Sequence, residues 1–491
     1  MASGAAPASG RAASLHAIDH AAAMTPQRRK QALVVVAGAF MMDLIDLTIV
    51  NVALPSIQRD LGADTAAMQW MVAGYAVAFA VLLITGGRLG DTKGYRRLFM
   101  LGMAGFTATS LLCGAAVSAE MLVLARLAQG ATAALMLPQV MSLIQVMYPP
   151  AERIGALAVF GVLGGIAAVL GPVIGGILIE ANLFGLGWRP IFLINGPLGL
   201  VGLIAAWRLL PPGRSAHGGA VDLVGTGLIA ATLLALLLPL LQGREAGWPL
   251  WCLALLAASP LLAWAFIAHI RRQAPHGKAL VDPVLFANRG FSVGLSLSLC
   301  FQATTAGLLF ILTLTLQYGL GCTPLETALV HIPYALGASV AIGFVARRAL
   351  PRIGLRLILI GVVLMLAGLA ALAALVAGGG GLVPLGAALL LTGTGMGMVG
   401  GPLGPVTLSD VDVAHAGSAS GSMKAVQQLG AASGAALIGG VFFILAGDLA
   451  NGAARSAFLL TVPLLAGLLL MVAFLVTRLP RDLRIFKKQQ G

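Results

Sequence analysis

This chain carries little charge. Asp, Glu, Lys and Arg together make up 10% of the 491 residues, and only 17 residues are acidic. A soluble domain carries about 25% charged residues, so a composition that is 59% hydrophobic, with a mean hydropathy of +0.97, excludes an ordinary soluble fold. Cysteine is scarce too. Cys113, Cys252, Cys300 and Cys322 lack the paired spacing of a disulfide framework or a zinc site, and no metal is expected. HExxH and Walker loops are absent, which removes the commonest metalloprotease and nucleotide-binding readings. A membrane-embedded transferase would need a polar, acid-rich loop, and the loops here are short and poor in acids. Residues 1–30 lack an apolar h-region and read as a disordered cytoplasmic tail instead of a cleaved signal.

Long apolar runs are abundant instead. Windows of roughly 20 residues give about fourteen candidate spans, from 33–57 to 456–477, with a pair at 221–241 and 250–270 in the middle. Only helices satisfy their own backbone within such runs, so the fold class is an all-α polytopic membrane protein. The formal charge of +13 suggests nucleic acid until its distribution is read. Nearly all basic residues fall in alternate loops, among them Arg28, Arg29, Lys93, Arg96, Arg97, Arg208, Arg271, Arg352, Lys424 and Arg478. Arg59, Arg189, Arg244 and Arg455 fall on the other side. That asymmetry puts both termini in the cytoplasm and makes the bilayer, not nucleic acid, the partner.

The few intramembrane charges are the candidate functional residues, because an acid in a membrane helix is costly unless it has a task. Asp43 and Asp46 lie three residues apart in the first span and share a helix face. Two carboxylates in one dry site cannot both ionise cheaply, which suits proton carriage. At 1.5 Å rise, Asp46 lies on the order of 10 Å below the outer face and Arg126, on span 4, at roughly 8 Å depth, so the two share a level. Phe40, Asn51, Tyr75, Gln129 and Gln139 are the polar or soft cavity candidates of the first half, and Gln317 and His331 those of the second. Each has an interhelical hydrogen bond as its alternative role.

The loop after span 2, GRLGDTKGYRRL, orders Gly87, Asp91, Gly94, Arg96 and Arg97 as G-x-L-x-D-x-x-G-x-R-R. It resembles the loop signature of the major facilitator superfamily, and RRALPRIGLR after span 10 is a degraded echo. DLTIVNVALP from Asp46, RLAQGATAA from Arg126 and WRPIFLINGPLG from Trp188 are similar to the fourteen-helix drug:proton antiporters of EmrB/QacA type. GPVIGG, with Gly171, Pro172, Gly175 and Gly176, resembles the antiporter motif of the fifth helix. Asp43 departs from the pattern, since an apolar residue is usual there.

The resemblance implies two six-helix bundles (31–210 and 276–478) flanking an inserted pair (211–275), with a basic tail at 479–491. It implies proton coupling through Asp43, Asp46 and Arg126, and a conformational latch between the halves in the Gly87–Leu98 loop. The function expected is efflux of lipophilic drugs or antibiotics across the bacterial inner membrane, driven by the proton gradient with no cofactor. The substrate is a small lipophilic molecule, a cation among the candidates; a periplasmic adaptor stays open. A dedicated metabolite exporter and a proton symporter on the same fold are the alternatives.

Overall fold

In the computed structural model the described residues are 24–213, 222–243, 246–276, 280–411, 416–447 and 453–480. Most of the two tails expected from the sequence lies outside them. Fourteen long helices follow in order: α1 Pro26–Leu61, α2 Thr65–Lys93, α3 Tyr95–Gly114, α4 Ala119–Met147, α5 Pro150–Glu180 and α6 Pro190–Leu209. Next come α7 Leu223–Gln242, α8 Leu250–Gln273, α9 Arg289–Gly319 and α10 Pro324–Ala346, then α11 Arg356–Gly378, α12 Leu382–Leu408, α13 Ala416–Ala446 and α14 Ala454–Arg478. Thirteen of them contain a window long and apolar enough to cross a bilayer, and α5 completes the set.

Short polar residues end the apolar runs. Thr25, Asp64, Ser118, Asp222 and Asn288 each accept a backbone N–H at a helix start, and Thr323 with Glu326 forms a full capping box ahead of Pro324. Gly94 (φ 100°) and Gly354 (φ 59°) turn the chain at matching places in the two halves, in conformations that a side chain would strain.

The packing repeats as well. In the first half α4 packs between α2 and α3, and α1 against α5 and α6; in the second, α12 packs between α10 and α11, and α9 against α13 and α14. Two crossed seams join the halves, α2 to α13 and α5 to α10. At the end away from the termini they are clasped by Gln317, which donates to the Val52 carbonyl at 3.0 Å, and by the Tyr318 hydroxyl on Gln58.

The inserted pair α7–α8 packs against α2 and α13. Asp222, 8% exposed, staples it: the carboxylate accepts from the Gly225 amide at 2.7 Å and the Leu280 amide at 3.2 Å, and meets His269 Nε2 at 2.8 Å. Thr226 in turn reaches Thr85 of α2 at 2.7 Å. Burial pushes the Asp222 carboxyl up, but Gly225, His269 and Leu280 outweigh it and hold it below its ordinary value. The staple therefore stabilises the fold above the unfolded-state value of about 3.9 and is lost as pH falls through the lower folded value. Asp222→Ala is expected to cost about 2 kcal/mol, seen as a lower unfolding temperature in detergent at pH 7, a gap that narrows below about pH 4. Equal melting of the two proteins at pH 7 would show the insert is held elsewhere.

Candidate functional site

The first-half acids are buried side by side but do different jobs. Asp46 and Arg126 are each 1% exposed, and Arg126 Nη1 stands 2.5 Å from Asp46 Oδ2. Taking two charges out of water is costly unless the remaining donors and acceptors are met. Here they are. Arg126 also donates to Gln129 Oε1 at 2.7 Å and, through Nε, to the Met71 carbonyl at 3.0 Å. Gln129 Nε2 donates to Asp46 Oδ1 at 2.8 Å, and Asn195 Nδ2 to the same oxygen at 3.3 Å. Ser110 ties Gln129 (3.2 Å) to Asn195 (2.8 Å) and donates on to the Phe192 carbonyl at 3.2 Å. Tyr75 covers the guanidinium face, its centroid 4.5 Å from Cζ.

One turn earlier, Asp43 is 1% exposed and accepts the Tyr75 hydroxyl. Tyr75 thus touches both acid environments: its ring lies on Arg126 and its hydroxyl on Asp43. A change in the charge of either acid is felt by the same side chain.

The other candidates divide. Phe40 packs edge-on to Phe160 at 5.1 Å, on the first-half wall. Gln129 belongs to the ion-pair network, not to a cavity wall. Gln139 is fully buried, its Nε2 on the Gly86 and Leu135 carbonyls, and so is a packing hydrogen bond. Asn51 Nδ2 lies 3.4 Å from the Leu47 carbonyl of its own helix, and Gln317 serves the clasp. His331 is 8% exposed; Nδ1 meets the Thr327 carbonyl at 2.7 Å and Nε2 has no partner.

The expected latch pairs within one half in this conformation. Tyr95 donates to Asp91 at 3.0 Å, Arg96 to the Trp207 carbonyl, and the Tyr95 amide to the Gly213 carbonyl at 2.8 Å, while Arg97 is exposed. The Gly171–Gly176 stripe is a packing surface. A methyl at Gly171 would press on Thr48 of α1, one at Gly175 on Ile49, and one at Gly176 would come within 2.9 Å of Leu325 Cα on α10.

Lys424 needs a correction. The sequence places it in a cytoplasmic loop because the apolar run starts one residue later. It stands instead inside α13, exposed yet deep among the helices, with its charge reaching Asp43. Asn195 and Ser110 were also missed. Asn195 lies inside the quoted sixth-helix stretch, which was the available signal; a single serine on an apolar helix gave none.

A family model, the Major Facilitator Superfamily, matches residues 36–435. This chain belongs to that superfamily. It is a multi-pass membrane transporter and not an enzyme. It is 42% identical to a "Probable actinorhodin transporter" of Streptomyces coelicolor over 438 residues, 87% of this chain and 76% of that protein. It is 35% identical to the "Cephamycin export protein CmcT" of Amycolatopsis lactamdurans, covering 83% of this chain and 84% of the relative. Among solved structures, an inward-facing bacterial homologue of the human lysosomal transporter Spinster superposes with a TM-score of 0.66 at 16% identity, over 93% of this chain and 98% of that one. The fold of this superfamily member is thus shared well beyond its sequence relatives.

Proposed function

We propose that this chain is an efflux transporter that exports lipophilic antibiotics or drugs across the bacterial cytoplasmic membrane in exchange for protons. Relatives named as antibiotic exporters and resistance proteins support export of small molecules. The observation that carries the coupling is the buried Asp46–Arg126 pair joined to Asp43 through Tyr75. Protonating Asp46 removes the counter-charge of Arg126, so the guanidinium must find new acceptors. Gln129 and the Met71 carbonyl are already in contact with it, which gives a local route from proton binding to a shift of α4 against α1 and α2. Binding of substrate and proton to opposite states then makes exchange obligatory.

The basic loops set the orientation, with both termini cytoplasmic. The test is movement of a panel of dyes and antibiotics in inverted vesicles, with and without a pH gradient. At least one compound should accumulate only with the gradient; rates indifferent to its collapse for every compound would remove the coupling. Relatives named for single antibiotics favour a narrow substrate range as the second reading. The Gly94 turn acts in this scheme by holding the start of α3 to α6 and the chain just beyond it. Asp91→Asn removes the charge that the Tyr95 hydroxyl donates to and is expected to lower turnover several-fold while leaving substrate affinity in detergent within twofold. Wild-type turnover would reduce the loop to an orientation signal.

A further inference from the structure

Four charged groups border the space between α1 and α13: Asp43, Asp46, Arg126 and Lys424. Asp46 and Arg126 cancel within the first half. What is left is Asp43 on one half and Lys424 on the other. Their sum is zero when Asp43 is ionised and one positive charge when it is protonated. With Lys424 charged, neither state of Asp43 leaves the space net negative.

The placement of Lys424 follows from the faces of α13. Gly430 and Gly434 pack on Leu299, Gln302 and Ala303 of α9. A methyl at Gly421 would come 3.9 Å from Ile84 of α2, and Ala425 packs on the cluster holding Met42, Tyr75 and Phe79. Leu429 and Ala436 turn to one flank, toward Leu233 of α7. At 100° per residue Lys424 falls on the opposite flank, between the α2 and α9 faces, where the first half faces the second across their interface. It forms no ion pair of ordinary length, and its side chain is exposed. An ammonium in that position is available to a ligand.

We propose that Lys424 is a substrate-binding and charge-selecting residue, so that the transported class bears an acidic group, a carboxylate or an acidic phenol, which Lys424 engages from the second half. This rests on the exporter reading and narrows its substrate class: a simple lipophilic cation finds no net attraction in either state of Asp43. Apolar surface such as Phe40 and Phe160 would take the rest of such a molecule.

The test is equilibrium binding of two fluorescent probes, fluorescein as the acid and ethidium as the permanent cation, to purified protein in detergent by fluorescence polarisation. Wild type should bind fluorescein more tightly than ethidium. Lys424→Met should weaken fluorescein about tenfold and tighten ethidium, while Lys424→Arg should keep the wild-type order. Opposite shifts for the two probes are not expected of a merely misfolded variant. Wild type that prefers ethidium, or a Lys424→Met variant that moves both probes alike or neither, would overturn the proposal. Binding needs no gradient, so failed coupling in vesicles would count against the exporter reading and leave this result standing.

Discussion

Asp46→Asn is expected to abolish proton-driven efflux and to destabilise the protein more than any other single change in the first half. The amide keeps the shape but removes the charge opposite a guanidinium that is 1% exposed. Breaking a buried pair by neutralising one partner costs about 3–5 kcal/mol, because the other charge stays buried and uncompensated. Replacing both partners, Asp46→Leu with Arg126→Leu, should recover most of the unfolding temperature and none of the coupling. That contrast separates the folding role of the pair from its transport role. Asp43→Asn should act more mildly, since the amide oxygen can still accept from Tyr75 and Arg126 stays paired. Efflux from energised vesicles together with thermal unfolding of the four proteins decides the matter. Undiminished proton-coupled efflux in Asp46→Asn would move the coupling site to Asp43.

Gly176→Val should cut transport more than tenfold by wedging the α5–α10 seam. Even a methyl there meets Leu325 Cα at 2.9 Å and Ala328 Cβ at 3.1 Å, and the first of these is backbone that cannot turn aside. Overpacking of this kind costs typically 1–3 kcal/mol, here charged to the conformation in which the halves meet at the end away from the termini. Conformations with that seam parted escape the penalty, so the equilibrium between them shifts. Gly176→Ala should fall between wild type and Val. The measurement is initial efflux rate at matched expression; wild-type rates in Gly176→Val would mean the seam has slack.

The Asp46–Arg126 pair was legible because two independent cues agreed: helix rise put both groups at one depth, and each began a motif stretch. The contacts that complete it were not. Asn195 is 149 residues from Asp46 in sequence, and nothing in the periodicity of α6 says which neighbour its amide meets. Gln139 and Gln317 look like cavity residues for the same reason, since a polar group on an apolar helix has the same sequence signature whether it binds a ligand or a neighbouring carbonyl. Lys424 fell on the wrong side of a boundary drawn by hydropathy. α13 starts at Ala416, ahead of the apolar run, and a window that counts apolar residues starts the span only where that run begins, one residue after Lys424. The two-halves layout, by contrast, was written in the repeat of Gly94 and Gly354, each of which turns the chain with a positive φ at the corresponding place in its half.

The inserted pair has a geometric consequence for anything dissolved in the bilayer. α7 touches both α2 and α13 and so roofs the groove between them. Along α5 and α10, apolar side chains such as Ile166, Leu170, Leu329 and Leu336 remain exposed where a lipid tail would lie. The two flanks of the transporter therefore differ, one covered by the insert and the other bare. A hydrophobic molecule partitioned among the acyl chains meets a shuttered wall on the insert's side and a hydrocarbon-lined threshold on the other.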